Sequence, residues 1–169
     1  MKNLITYEEI SLLARPCSTD REMAEAMIAE AQRVEIKPRL GDALLLKLQT
    51  EDLADPYRLL LEGGEWEASN GPRLLTGVKT ALAYYALARI VRDGNIQATT
   101  YGAVVKDDQY STDAERSERQ RQYRELFSQA DSYLAEAISY LTQNGRAFPE
   151  YQVQGKMRSN RTTIKVIGK

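Results

Sequence analysis

Residues 76–94, TGVKTALAYYALARIVRDG, decide the fold. Drawn as a helix from about Thr76 to Arg92, the stretch places Val78, Ala81, Leu82, Tyr85, Ala86, Leu87, Ala88, Ile90 and Val91 around most of its circumference. A helix that is apolar on nearly every side must be buried by neighbours on several sides. The spacing therefore predicts the central helix of a helical bundle, closed by Asp93-Gly94.

On its C-terminal side comes NIQATTYGAVVKDDQYSTD, residues 95–113. It is polar, partly strand-like and not helical, and a connection of this length in a small domain is usually functional or disordered. A long helix follows, from near Ser111 or Thr112 to about Gln143, where Asn144-Gly145 closes it. Its first half, AERSERQRQYRE, is almost wholly polar, with Glu115/Arg119 and Arg121/Glu125 spaced as i,i+4 charge pairs. Its second half sets Tyr123, Leu126, Phe127, Ala130, Tyr133, Leu134, Ala137, Ile138 and Leu141 on one face.

On the N-terminal side, Thr6 and Glu9 have capping-box spacing, and the helix they open should end before Pro16. Thr19 and Glu22 repeat that spacing ahead of a helix reaching about Glu35, with Met23, Met27, Ala31 and Val34 on its apolar face. Pro38 and Gly41 are expected to break it, and Asp42 to cap a helix carrying Leu44, Leu45, Leu46 and Leu48. Pro56 starts a short helix that Gly63-Gly64 stops. Glu65–Leu74, with Asn70-Gly71 at its turn, predicts a small hairpin or extended loop, limited by Pro72. The expected class is mainly α: a bundle of about five helices over residues 1–148, with a small β-hairpin or extended loops. A basic, strand-prone C-terminal tail occupies residues 149–169.

The chain of 169 residues has 43% hydrophobic and 28% charged residues, the composition of one soluble domain with a core. It contains no histidine and one cysteine, so its own residues cannot build a Ser-His-Asp, Cys-His or histidine-metal site. Cys17, in a short connector, reads as an inert small residue, and no intramolecular disulfide can form. Asp107, Asp108 and Asp113 match no calcium-loop spacing and read as a polar turn. No phosphate loop or dinucleotide turn occurs. No catalytic residue, metal or cofactor is expected, and the protein is expected not to be an enzyme. No segment is long and apolar enough for a leader or a membrane span, which predicts a cytoplasmic protein without a membrane partner.

Two groups of residues stand out as candidates for contact. Tyr101, Val104, Val105 and Tyr110 in the central connection, with Ile164 and Val166 in the tail, are candidate partner-contact residues, since an isolated strand needs an edge to pair with. The tyrosines, Tyr84 and Tyr85 included, also fit core packing with hydroxyls at the rim. Lys156, Arg158, Arg161 and Lys165 are candidate DNA-facing residues, although charges without aromatic interleaving or a known motif fit a solvated tail better. The net charge of −1 gives no global attraction to nucleic acid.

The order LITYEEI (4–10), STDREMAEAMIAEAQRVEIKPRLG (18–41), TGVKTALAYYALARIV (76–91), a loop with Thr, Gly and Val, and a last long helix resembles the head-tail connector or adaptor proteins of tailed bacteriophages and prophages. The resemblance runs over roughly residues 4–143. It implies a small helical subunit of a homo-oligomeric, dodecameric ring below the capsid portal protein. Such a ring lines the channel through which DNA passes without sequence specificity, and it docks the next neck or tail-completion protein. It further implies a location in the host cytoplasm during assembly and then in the virion neck. A helical protein-interaction or regulatory module of the host cytoplasm, DNA-binding or not, is the alternative.

Overall fold

The computed structural model of the protein describes residues 2–68, 70–93, 96–99, 102–105 and 113–151. The fold is mainly α. Its elements are α1 (Tyr7–Leu13), α2 (Arg21–Ala31), a π-helical turn (Gln32–Ile36), α3 (Lys37–Leu40), α4 (Asp42–Leu48) and α5 (Tyr57–Glu62). These are followed by β1 (Gly64–Ala68), β2 (Gly71–Leu75), α6 (Val78–Asp93), β3 (Ile96–Thr99), β4 (Gly102–Val105) and α7 (Asp113–Gln143), with a 3₁₀ turn at Gly145–Ala147. The strands form two separate antiparallel hairpins, β1–β2 and β3–β4.

The centre is α6, with α7, α2, α1 and α5 packed around it. Val78, Ala81, Leu82, Ala83, Tyr85, Ala86, Leu87, Ala88 and Ile90 are all buried, as the all-round apolar pattern requires, and so is the charged Arg89. Alanines on α6 let its neighbours approach closely, and Leu82 fills the space between them without any exposure. Leu82→Ala should therefore cost about 2–5 kcal/mol. Urea denaturation checks this, and a loss near zero would mean that α6 is not the central element.

The Thr6–Glu9 capping box forms as spaced: Thr6 accepts from the Glu9 amide, and the Glu9 carboxylate accepts from the Thr6 amide at 2.8 Å. The start of α2 differs from the sequence expectation. Asp20 caps it by accepting from the Met23 amide at 3.1 Å, while Thr19 donates to the Met23 sulfur. A carboxylate one residue nearer the helix is the stronger cap, because it adds charge at the positive helix end.

The buried face of α2 also differs. Ala24, Ile28 and Ala31 face the core, and Val34 is 54% exposed. The helical path does not stop at Pro38 but runs on to Leu40 through the π turn. In an unbroken α-helix, sixteen residues at 100° each would place Leu40 about 160° away from Ala24. The wider π turn turns less per residue, so Ile36 and Leu40 return to the core side and Gln32 and Glu35 point inward. Pro38 follows the π turn at the start of α3 and, having no N–H, donates no backbone bond to the preceding turn.

Gly41, at φ +82°, ends this path and itself precedes α4. Asp42 is thus the first residue of α4 and makes no cap bond; it pairs with Lys37 at 3.1 Å instead. Leu44, Leu45 and Leu48 are buried, whereas Leu46 is 63% exposed. Gly63 closes α5 at φ +88°, and a Cβ there would sit 2.5 Å from the Leu75 carbonyl oxygen. Only glycine lets the chain turn from α5 into β1 this close to β2.

Candidate functional site

α6 and α7 are antiparallel. Thr76 meets Glu136, the Tyr84 ring meets Tyr133 at 5.2 Å, Tyr85 bonds Asp131, and Arg92 lies 5.3 Å over the Tyr123 ring. The end of α6 is therefore level with Tyr123. Asp113 to Gln122 continue past it, an overhang of about 15 Å at 1.5 Å per residue. The first half of α7 thus extends beyond the end of the helix it packs against, in keeping with its polar sequence. Its ordering comes from its own charges: Arg121 bridges Glu118 at 2.6 Å and Glu125 at 2.9 Å. The Glu118–Arg121 pair, with its acid N-terminal to its base, has the more favourable orientation on a helix, and Arg121–Glu125 has the reverse one.

The β3–β4 hairpin lies in the connection that leads into this overhang, with Ile96 paired to Val105 and Thr99 to Gly102. Val104 and Val105 belong to β4. Tyr101 and Tyr110 lie outside the described residues.

The other end of α7 carries a different structure. Phe148, fully buried, folds back after the 3₁₀ turn and stacks edge-on against Tyr57 (5.1 Å) and Tyr140 (5.6 Å). Tyr140 in turn meets Trp66 of β1 at 4.9 Å. The Tyr57 hydroxyl donates to Glu150 at 2.6 Å, and this bond pushes the Tyr57 pKa up to about 12 and lowers that of Glu150. Tyr151 packs partly against the core. The remainder of the tail thus departs from a fixed point beside α5 and the β1–β2 hairpin. Lys156, Arg158, Arg161, Ile164, Lys165 and Val166 lie outside the described residues.

Sequence reading missed a polar network between these ends. Arg89 of α6, only 5% exposed, donates to Glu30 and to Glu35, each at 2.5 Å. Nearby, Arg39 of α3 donates to Asp131 (2.7 Å) and to the Tyr85 hydroxyl, which itself donates to Asp131 at 2.5 Å. Glu35 Oε2 and Arg89 Nε are buried without a partner among the described residues. Two carboxylates share one guanidinium, so one acid is poorly compensated. Burial raises the Glu35 pKa above its ordinary 4.5, outweighing the lowering by Arg89; Glu30 adds to the rise and Arg39 opposes it.

An acid whose pKa is higher folded than unfolded binds its proton more tightly when folded, so stability falls as pH rises from 4.5 through the folded value. Glu35→Gln should flatten that slope, gaining on the parent protein as pH rises from 4.5 toward neutrality. Urea midpoints across the range check this; parallel curves for the two proteins would refute it.

A cleft of about 220 Å³ opens beside Lys2, Gln49, Arg58 and Lys79. Its three cations are paired with Glu51, Asp55 and Glu9, so it offers no unpaired charge to an anion among the described residues. No group of three or more metal-ligating side chains occurs among them, and no described helix is long and apolar enough to cross a membrane.

A family model, described as a family of unknown function (DUF6712), matches residues 36–161, about three-quarters of the chain. The chain belongs to this family. The matched span begins in the π turn and takes in both hairpins, α6, α7 and the aromatic cluster around Phe148. No curated protein and no solved structure matches the chain significantly.

Proposed function

We propose that the protein is a structural assembly subunit, a head-tail connector that forms a ring between a phage capsid portal and the next neck or tail component. The observation that supports this reading is the placement of its two strand-forming segments. The β3–β4 connection joins the N-terminal end of α7, and the tail leaves beyond its C-terminal end. With 31 residues, α7 holds these points about 46 Å apart. A subunit that joins one component above to another below needs contacts at two separated ends, with its flanks left for its neighbours in the ring. Strand-forming segments suit such contacts, because an exposed edge can recruit them by main-chain hydrogen bonds.

The charge balance points the same way. A channel that gripped phosphates strongly would retard sliding, since each neutralised phosphate adds salt-dependent affinity. A chain of net charge −1, with its surplus of basic residues after Glu150, avoids that grip. The ring lines the DNA channel and makes no base-specific contact.

The experiment is deletion of the gene from the producing phage. Filled capsids that lack tails, or that leak DNA, are the expected result. Normal tailed virions at normal yield would exclude a connector and favour an interaction or regulatory module of the host cytoplasm.

A further inference from the structure

We infer that the outer edge of β1 is a docking site for the tail of a second copy of this chain, with residues 163–167, TIKVI, adding as a third strand. The choice of a second copy rests on the assembly role proposed above. Neither strand of the β1–β2 hairpin has a further partner among the described residues, so within them each has one unpaired edge. The two edges are unequal. Pro72 lies within β2, opposite Glu67, and lacks the N–H that a ladder needs. β1 contains no proline.

The side chains of β1 alternate by exposure. Glu65 and Glu67 are exposed, while Trp66 and Ala68 are half-buried, with Trp66 against Tyr140. The tail alternates in the complementary sense: Lys165 lies between Ile164 and Val166, in a segment that has five basic residues and no acid after Glu150. Because successive side chains of a strand point to opposite faces, pairing brings Lys165 to the acidic face and Ile164 and Val166 to the face of Trp66. Opposite charges on neighbouring strands are favourable, and an apolar pair beside an aromatic ring adds to them. A register shifted by one residue would place Lys165 against the core and both Ile164 and Val166 in water. Ile167, at the end of the segment, shares the face of Lys165 in the favoured register, so the pattern favours that register through its three central residues.

Reach permits a partner in another copy. Tyr151 is fixed beside the core, and the twelve residues from there to Thr163 span up to about 40 Å when extended.

The test traps the pair as a disulfide in the full-length chain carrying Cys17→Ser. One preparation carries Thr163→Cys; the other carries Glu65→Cys or Glu67→Cys. Either choice on β1 leaves Lys165 opposite the remaining glutamate, the first for a parallel and the second for an antiparallel addition. Paired strands lie about 4.8 Å apart, within the Cα separation that a disulfide bridges. Mild oxidation of the mixture should give a mixed dimer on a non-reducing gel. Its yield should fall to that of a mixture lacking one cysteine when Lys165→Glu is added to the tail. Reversing the remaining glutamate to lysine on β1 should restore it.

No mixed dimer above that control would overturn the proposal. So would a bridge that forms only within the Glu65→Cys/Thr163→Cys or Glu67→Cys/Thr163→Cys double variants, which would put the tail on its own hairpin. A mixed dimer together with normal virions from the deletion phage would keep the docking site and remove the connector role.

Discussion

Arg89→Met is expected to destabilise the fold by about 3–5 kcal/mol, the range for removing one partner of a buried ion pair. The methionine fills much of the same space on α6, so the loss comes chiefly from charge. Glu30 is partly exposed and can turn to water once its partner is gone, but Glu35 cannot, with 8% of its surface accessible. It would be left buried beside Glu30 with Arg39 as the nearest cation, and it would fold only by taking up a proton. The penalty should therefore shrink as pH is lowered, in the direction of the Glu35 shift described above. Glu35→Gln on the same background should recover part of the loss, because the neutral amide removes the uncompensated charge. Urea denaturation of the two single variants and the double variant forms the cycle that separates these effects. A loss below about 1 kcal/mol for Arg89→Met, typical of an exposed pair, would show that the cluster is open to water.

That network also shows where sequence reading stops. Leu82 and Ile90 announced the burial of α6 because a hydrophobic side chain in an apolar stretch has one plausible destination. Arg89, within the same stretch, carried no comparable sign: its burial depends on two glutamates more than fifty residues away in sequence. The signal that could have found it is the arginine's place on a helix apolar all round, since a charge there is buried and needs a partner.

The π turn was equally hidden. Helical periodicity through Met23, Met27, Ala31 and Val34 looks regular, and only the need to return Leu40 to the core reveals that the path must widen near Gln32. Cap chemistry was legible at Thr6, where both halves of the box are made, and misread at Thr19. There, Asp20 offered a charged oxygen one position on. The candidate contacts were legible as chemistry and not as geometry. The strand character of Val104 and Val105 was visible in sequence, but a hairpin leading into a helix overhang follows from the relative lengths of α6 and α7, which only packing sets.

Phe148→Ala should cost about 3–5 kcal/mol, the range for removing a buried aromatic side chain. Phe148 has no accessible surface, and it joins elements far apart in the chain: Tyr57 on α5 and Tyr140 on α7 both pack edge-on against it. Each such ring pair adds about 0.5–1.5 kcal/mol beyond burial, so two are lost at once. The consequence extends past stability. Phe148 holds the chain so that Glu150 can accept from Tyr57; without it that bond has no anchor, and the Tyr57 pKa should relax from about 12 toward its ordinary 10.

Trp66 is the sole tryptophan, and it reports on the same cluster through Tyr140. Urea denaturation followed by its fluorescence gives the stability loss, and its emission in the folded state gives the local change. A loss under about 1 kcal/mol would mean that Phe148 is dispensable to the core. A full loss of stability with Tyr57 still titrating near 12 would mean that Glu150 is held by something other than Phe148. The expected result ties both effects to one side chain, because the residue that closes the bundle also fixes where the tail leaves it.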